Sequence, residues 1–318
     1  MKKSWEIIKN YFPIVGFVLV VVIFALLTRG EILSGQTLQT LLNQVMLTAL
    51  VSIGSVFIFG SGCFDMSMGG TLCMSAVVGA YAAIATGSIW VMALACLGTS
   101  LALNILKGLF AAYVDVPLFI VTIVLGSVLS ALVLVMMGTE TTIFLKNAVS
   151  PIPDFNATQL TILNLACLGI YFLVCLVLFN YTRLGREVKL LGGNPVTFRQ
   201  TGLNPVKVKL LSFIIGAVGV ALAAFVLLMR TRAAGASSGS SMGTDVMVAL
   251  VLGGMPLTGG PRSRISAGLI GAATITVLNT GLTMMGLTTA VIQVFRAIIF
   301  LAVVYVASMT YRTKLLPR

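Results

Sequence analysis

Residues 183–209 read RLGREVKLLGGNPVTFRQTGLNPVKVK, a basic, glycine-rich connector between two long apolar runs. It is the only sizeable polar segment on one side of an otherwise apolar chain. A connector of this kind separates a self-contained channel from a membrane subunit that a soluble partner grips.

Its surroundings fix the fold class. Of 318 residues, 58% are hydrophobic and 9% charged, with mean hydropathy +1.10. A soluble domain of this composition would lack polar groups for its surface. One transmembrane helix takes about 20 apolar residues, and the sequence supplies roughly ten such runs between short polar breaks. A β-barrel would show short alternating segments instead. The expectation is an all-α polytopic membrane protein, a single transmembrane domain over 1–318 with some helices broken. Spans are expected at 12–28, 37–60, 68–86, 88–108, 117–137, 159–181, 208–230, 244–259, 265–282 and 288–309.

Ten spans place both termini on one side. With the N-terminus inside, fifteen Lys and Arg fall on inner segments, Lys107 and the bases of 183–209 among them. Four, Arg29, Lys146, Arg230 and Arg232, fall outside. Lys and Arg collect in cytoplasmic loops, so the inner side, with both termini, is cytoplasmic. The same rule accounts for the net charge of +12 with the lipid bilayer, not nucleic acid, as partner. Residues 1–11 read as an amphipathic interfacial helix with Trp5 and Tyr11 at the membrane surface. The run 12–28 lacks a small-residue cleavage site and is expected to stay as the first span.

Several chemistries are missing from the sequence. There is no His, which removes imidazole catalysis, His-based proton relays and most zinc sites. The five cysteines have no CxxC spacing and read as small apolar packing residues. Neither a GxxxxGK[ST] loop nor an HExxH motif occurs. The chain is therefore not expected to be an enzyme, to bind ATP itself or to hold a metal.

Two glycine-rich breaks interrupt the helices, GSGCFDMSMGG at 60–70 and GGMPLTGG at 253–260. Each precedes a small-residue run, which suggests an internal repeat. Breaks at membrane depth are tolerated where they line a cavity or are buried in protein. Asp65 is the one acid in such a break, readable as a functional charge or as the cap of the next helix. Arg296 lies about eight residues into the last span, roughly 12 Å deep. It can snorkel, pair structurally or contact a polar solute. Asn43, Gln44, Asn104, Asn164, Asn279 and Gln293 are further polar groups in spans, suited to a polyhydroxylated solute or to bonds between helices. The outer segments 138–158 and 231–245 read as loops, the first a docking surface and the second irregular.

Several motifs in order then resemble one family. Gly62-Cys63-Phe64-Asp65-Met66-Ser67-Met68-Gly69 is similar to its GGIDLSVG signature, and Val116-Pro117-Leu118-Phe119-Ile120-Val121-Thr122 to PPFIVTL. Thr182-Arg183-Leu184-Gly185-Arg186, Leu191-Gly192-Gly193-Asn194-Pro195 and Thr201-Gly202-Leu203 resemble its GR, GGN and SGI elements. Residues 252–260 resemble LGGTSLxGG, and 277–282 resemble LNNGL. Together they resemble the permease subunits of ribose-type sugar ABC importers, in the superfamily that includes branched-chain amino acid permeases.

That resemblance implies a bacterial inner-membrane subunit that does no chemistry. Two permeases, identical or paralogous, would form the path for a small polar solute, above all a monosaccharide. Cytoplasmic ABC ATPase subunits would bind the ATP, and an external solute-binding protein would deliver the solute. The family's ATPase-coupling loop maps onto Gly185, Arg186, Gly192, Gly193, Asn194, Pro195 and Gly202. Asn194-Pro195 also makes a helix start from its residues alone, Asn as cap and Pro in the first helical position. The candidate path residues are Asn43, Gln44, Asp65, Ser67, Phe119, Asn279, Gln293 and Arg296. Departures at Ser61, Thr197-Phe198 and Pro261-Arg262-Ser263 leave nucleosides and branched-chain amino acids as alternative solutes. An ion-coupled transporter would need more intramembrane carboxylates than the sequence offers.

Overall fold

A computed structural model describes residues 2–114, 116–150, 155–256 and 258–312, with side chains from residue 13 to 305 except 147, 157 and 304. The chain order is α1 (Lys2–Leu27), α2 (Gly35–Gly60), α3 (Met68–Thr86), α4 (Ile89–Tyr113), α5 (Leu118–Met137), β1 (Thr142–Phe144) and α6 (Ala157–Tyr181). It continues through α7 (Arg183–Gly193), α8 (Pro195–Gln200), α9 (Pro205–Thr231), β2 (Ala233–Gly235), α10 (Met242–Leu252), α11 (Ile265–Met284) and α12 (Thr289–Arg312). Seven of these helices are long and apolar enough to cross a membrane, and 13–27, 242–252 and 289–303 are shorter apolar helices. The protein is a multi-pass, nearly all-helical membrane protein. The side chains of Trp5 and Tyr11, like Lys314 and Arg318, lie outside the described residues.

α2 is the axis of the bundle. Every residue from Thr48 to Ser61 is buried, because α9, α11, α6 and α10 all pack around it. A helix apolar on every side is a core helix. Small residues set the closest crossings. Tyr171 of α6 reaches between α2 and α9 to the Ile215 carbonyl at 2.8 Å, and a Cβ on Gly54 would lie 2.5 Å from its hydroxyl. A Cβ on Gly216 would meet Ile58 of α2 at 2.6 Å, so the α2–α9 contact depends on the missing side chain. By contrast α5 exposes Ile120, Ile123, Val124, Val128, Leu132 and Val135, a face suited to lipid or a partner helix.

The two halves repeat their neighbours, α2–α5 matching α9–α12 in order. α4 packs on α9 as α11 packs on α2, α3 on α4 as α10 on α11, α3 on α5 as α10 on α12, and α3 on α9 as α10 on α2. α3 and α10 both begin with Ser-Met-Gly, at 67–69 and 241–243. Their starts touch reciprocally: a Cβ on Gly69 would overlap the Gly239 carbonyl, and one on Gly243 the Met66 carbonyl. A repeat is present, as the two glycine-rich breaks suggest, but the pairing differs. The break before α3 corresponds to 232–241, not to 253–260. Apolar glycine-rich composition alone does not distinguish a segment before a half-helix from one after it.

Four further differences have physical reasons. Helix α10 has 11 residues, roughly 16 Å, so 244–259 is not one continuous helix; Gly253, Gly254 and Pro256 end it in turns. Lys107, expected on an inner segment, is buried within α4, which runs on to Tyr113. The loops expected outside are ordered in part: β1 pairs antiparallel with β2, Ile143 opposite Ala234. The ribbon is seated on α3, where Cys73 Sγ approaches the Gly235 carbonyl at 3.5 Å. Residues 183–200, expected to hold one short helix, form two.

Candidate functional site

The connector is built from the end of α6 outward. Thr182 breaks the helix with an extended backbone, and α7 folds back across the bundle end. α7 is amphipathic. Gly185, Val188 and Leu191 are buried, while Arg186 and Leu190 are exposed. The Lys189 ammonium lies 4.5 Å from the Phe179 ring centre, and partial burial lowers its pKa. A Cβ on Gly185 would overlap the Phe179 carbonyl, so α7 lies directly on α6 backbone.

Gly192 makes the central contact. Its α-carbon faces the Gly60 carbonyl at the end of α2, where a Cβ would overlap the oxygen. The amide of Gly260 donates to that same carbonyl at 3.0 Å. Gly193 packs on the Pro261 ring, which a Cβ would meet at 3.1 Å. The connector, the end of α2 and the loop before α11 therefore share one backbone junction.

Asn194 then starts α8. Its Oδ1 accepts from the amides of Val196 at 3.0 Å and Thr197 at 3.1 Å, and Pro195 occupies the first helical position. Cap and Pro act as the local sequence implies. Phe198 is buried and anchors the helix; Pro195, Val196, Thr197, Arg199 and Gln200 project outward. Gly202 has φ +76°, a left-handed turn that returns the chain to α9. Asn204 and Pro205 repeat the cap, with Asn204 Oδ1 accepting from Val206 N at 2.9 Å.

The candidate path residues do not converge on one point. Asp65 and Ser67 lie in the break before α3 and are fully buried. Asp65 Oδ1 accepts from Ser67 N at 2.8 Å and Ser67 Oγ at 2.6 Å. Lys107 Nζ donates to Asp65 Oδ2 at 2.6 Å, Thr71 Oγ1 at 3.1 Å and Ser67 Oγ at 3.2 Å. Asp65 thus orders the residues that open α3 and is paired with Lys107 inside the bundle. Gln44 and Asn279 flank the α2–α11 contact, where Thr280 donates to Gln44 Oε1 at 3.1 Å. The Oδ1 atoms of Asn43 and Asn279 are buried without a partner among the described residues. Phe119 lines a cavity of about 350 Å³ with Phe64, Ala111, Pro117 and Lys209. Gln293 is exposed on α12, and Arg296 one turn on pairs with Asp245 of α10.

Lys107 and Asp245 are not singled out by the sequence, because each lies at the edge of an expected span and resembles a boundary charge. The signal was stoichiometric. A charge within an apolar span demands a partner, and Asp65 and Arg296 find theirs in Lys107 and Asp245.

Known proteins resemble the chain over most of its length. Residues 37–304 match the family model described as branched-chain amino acid transport system / permease component. The ribose import permease protein RbsC of Escherichia coli (strain K12) is 27% identical over 283 residues, covering 85% of this chain and 84% of that one. The xylose transport system permease protein XylH of Haemophilus influenzae is 27% identical, covering 88% and 90%. The galactofuranose transporter permease protein YtfT of Escherichia coli (strain K12) is 26% identical, covering 85% and 79%. No solved structure matches the chain. With most of its length matched, the chain belongs to the branched-chain amino acid transport system permease component family, as a transport subunit and not an enzyme.

Proposed function

We propose that this chain forms half of the translocation path of an ATP-binding-cassette importer for a monosaccharide, in the bacterial inner membrane. It pairs with a second permease subunit. The chain crosses the membrane ten times, α10 and its following loop completing one crossing, with both termini and α7–α8 in the cytoplasm. ATP is bound by separate ATPase subunits docked on α8, and an external binding protein delivers the sugar at the β1–β2 end.

One observation carries the mechanism: a short helix with all but one side chain projecting outward sits on a glycine junction with no slack. Phe198 fixes α8 to the bundle, and Gly192 and Gly193 fix α7 to Gly60 and Pro261. A push on α8 then reaches the break before α3 and the loop before α11 without compressible side chains between. Packed elements with two arrangements pass such a displacement on as rocking of one half against the other. The printed names of the relatives, ribose, xylose and galactofuranose permeases, support the solute class.

The test is purification with the cognate ATPase, followed by ATP hydrolysis with binding protein loaded with ribose, xylose, a nucleoside or leucine. Stimulation by a loaded sugar-binding protein is expected. Stimulation by leucine or nucleoside alone overturns the solute assignment, and absence of any ATPase association overturns the coupling assignment.

A further inference from the structure

One acid–base pair lies beside the first turn of α3 and another beside that of α10, and the two differ in how completely they are satisfied. At α3, Asp65 and Lys107 are 0% and 2% exposed. Lysine has three donors, and all three have acceptors: Asp65, Ser67 and Thr71. That pair has nothing left to offer a ligand. At α10, Asp245 and Arg296 are 13% and 12% exposed. Asp245 Oδ2 accepts from Ser241 Oγ at 2.8 Å and Oδ1 accepts from Arg296 Nη1. The Nε of Arg296 is buried and has no acceptor among the described residues. A buried donor left unpaired is costly, and its acceptor can be a water, an ion or a polar solute.

The surroundings suit a small polar solute. Thr244, beside Asp245, and Gln293, one turn before Arg296 on α12, are both exposed. The segment 236–241, which approaches α10 from the β1–β2 end, is glycine- and serine-rich. We infer that Asp245 and Arg296 hold the transported sugar in passage. A vicinal diol donates its hydroxyl protons to the Asp245 carboxylate, and its oxygens accept from the guanidinium. This meets the free Nε–H without separating the two charges. A zwitterionic amino acid would have to break the ion pair to be held by it, so the pair favours a neutral polyol. The inference rests on the sugar-importer reading.

Uptake of labelled ribose and xylose is measured in proteoliposomes holding the permease, its ATPase and the sugar-loaded binding protein. The double variant Asp245→Asn/Arg296→Gln removes both charges together, so neither is left buried alone, and it removes the guanidinium fork. Uptake is expected to fall about ten-fold or more while loaded binding protein still stimulates ATP hydrolysis within about two-fold of wild type. Arg296→Lys keeps the ion pair but loses the planar fork, and the ribose-to-xylose uptake ratio is expected to shift by about three-fold or more. Unchanged uptake in the double variant with an unchanged ratio in Arg296→Lys overturns the inference. Parallel loss of uptake and stimulated hydrolysis marks a structural pair and also overturns it. Wild-type protein that imports leucine, or neither sugar, overturns the sugar reading itself and this inference with it.

Discussion

The carboxylate of Asp65 and the ammonium of Lys107, 42 residues apart, meet at 2.6 Å with both side chains closed off from the surface of the bundle. Each holds the other inside an apolar bundle, and removal of either strands a charge. Asp65→Asn or Lys107→Met alone is expected to cost about 3–5 kcal/mol. The double variant is expected to recover most of that loss. Thermal unfolding midpoints of the purified protein in detergent check the ranking; a double variant no more stable than the singles contradicts it.

Gly192 has no room for a side chain against Gly60. Gly192→Leu is expected to lift α7 from the junction, with overpacking of about 1–3 kcal/mol. Membrane insertion stays as in wild type, while stimulated ATP hydrolysis and uptake uncouple. Equal coupling ratios in variant and wild type would show that the junction transmits nothing.

Asn194 holds two amides of α8. Asn194→Ala is expected to cost about 1 kcal/mol of helix stability and Asn194→Asp little. Because α8 carries the proposed docking face, Ala should weaken co-purification of the ATPase more than Asp does. Titration of the ATPase against detergent-solubilised permease measures the difference.

Val196 and Arg199 are exposed on α8 and touch no core. The pair Val196→Glu/Arg199→Glu is expected to leave the unfolding midpoint within about 1 °C, as surface changes usually do, and to abolish ATPase association. Association that survives both substitutions places the docking face elsewhere.

Spans were legible in the sequence because lipid demands long apolar runs, and α3 occupies the expected 68–86. The cap at Asn194 was legible because it is local: cap, proline and amides lie within four residues. Long-range features were not. Asp245 and Arg296 are 51 residues apart in sequence, and the packing of α10 on α12 joins them. The end of α4 was set too early since Lys107 resembles a boundary charge until Asp65 is placed beside it. That the helix within 244–259 stops at Leu252 was not legible, because an apolar turn and an apolar helix have the same hydropathy.

The central claim is that another chain's ATP hydrolysis drives solute through this one. The direct measurement is solute accumulation in proteoliposomes with ATPase, binding protein and ATP each omitted in turn, with and without ionophores. Accumulation of ribose or xylose that needs all three and is indifferent to ionophores is the result predicted. Accumulation by this chain alone that collapses with an ion gradient would contradict it.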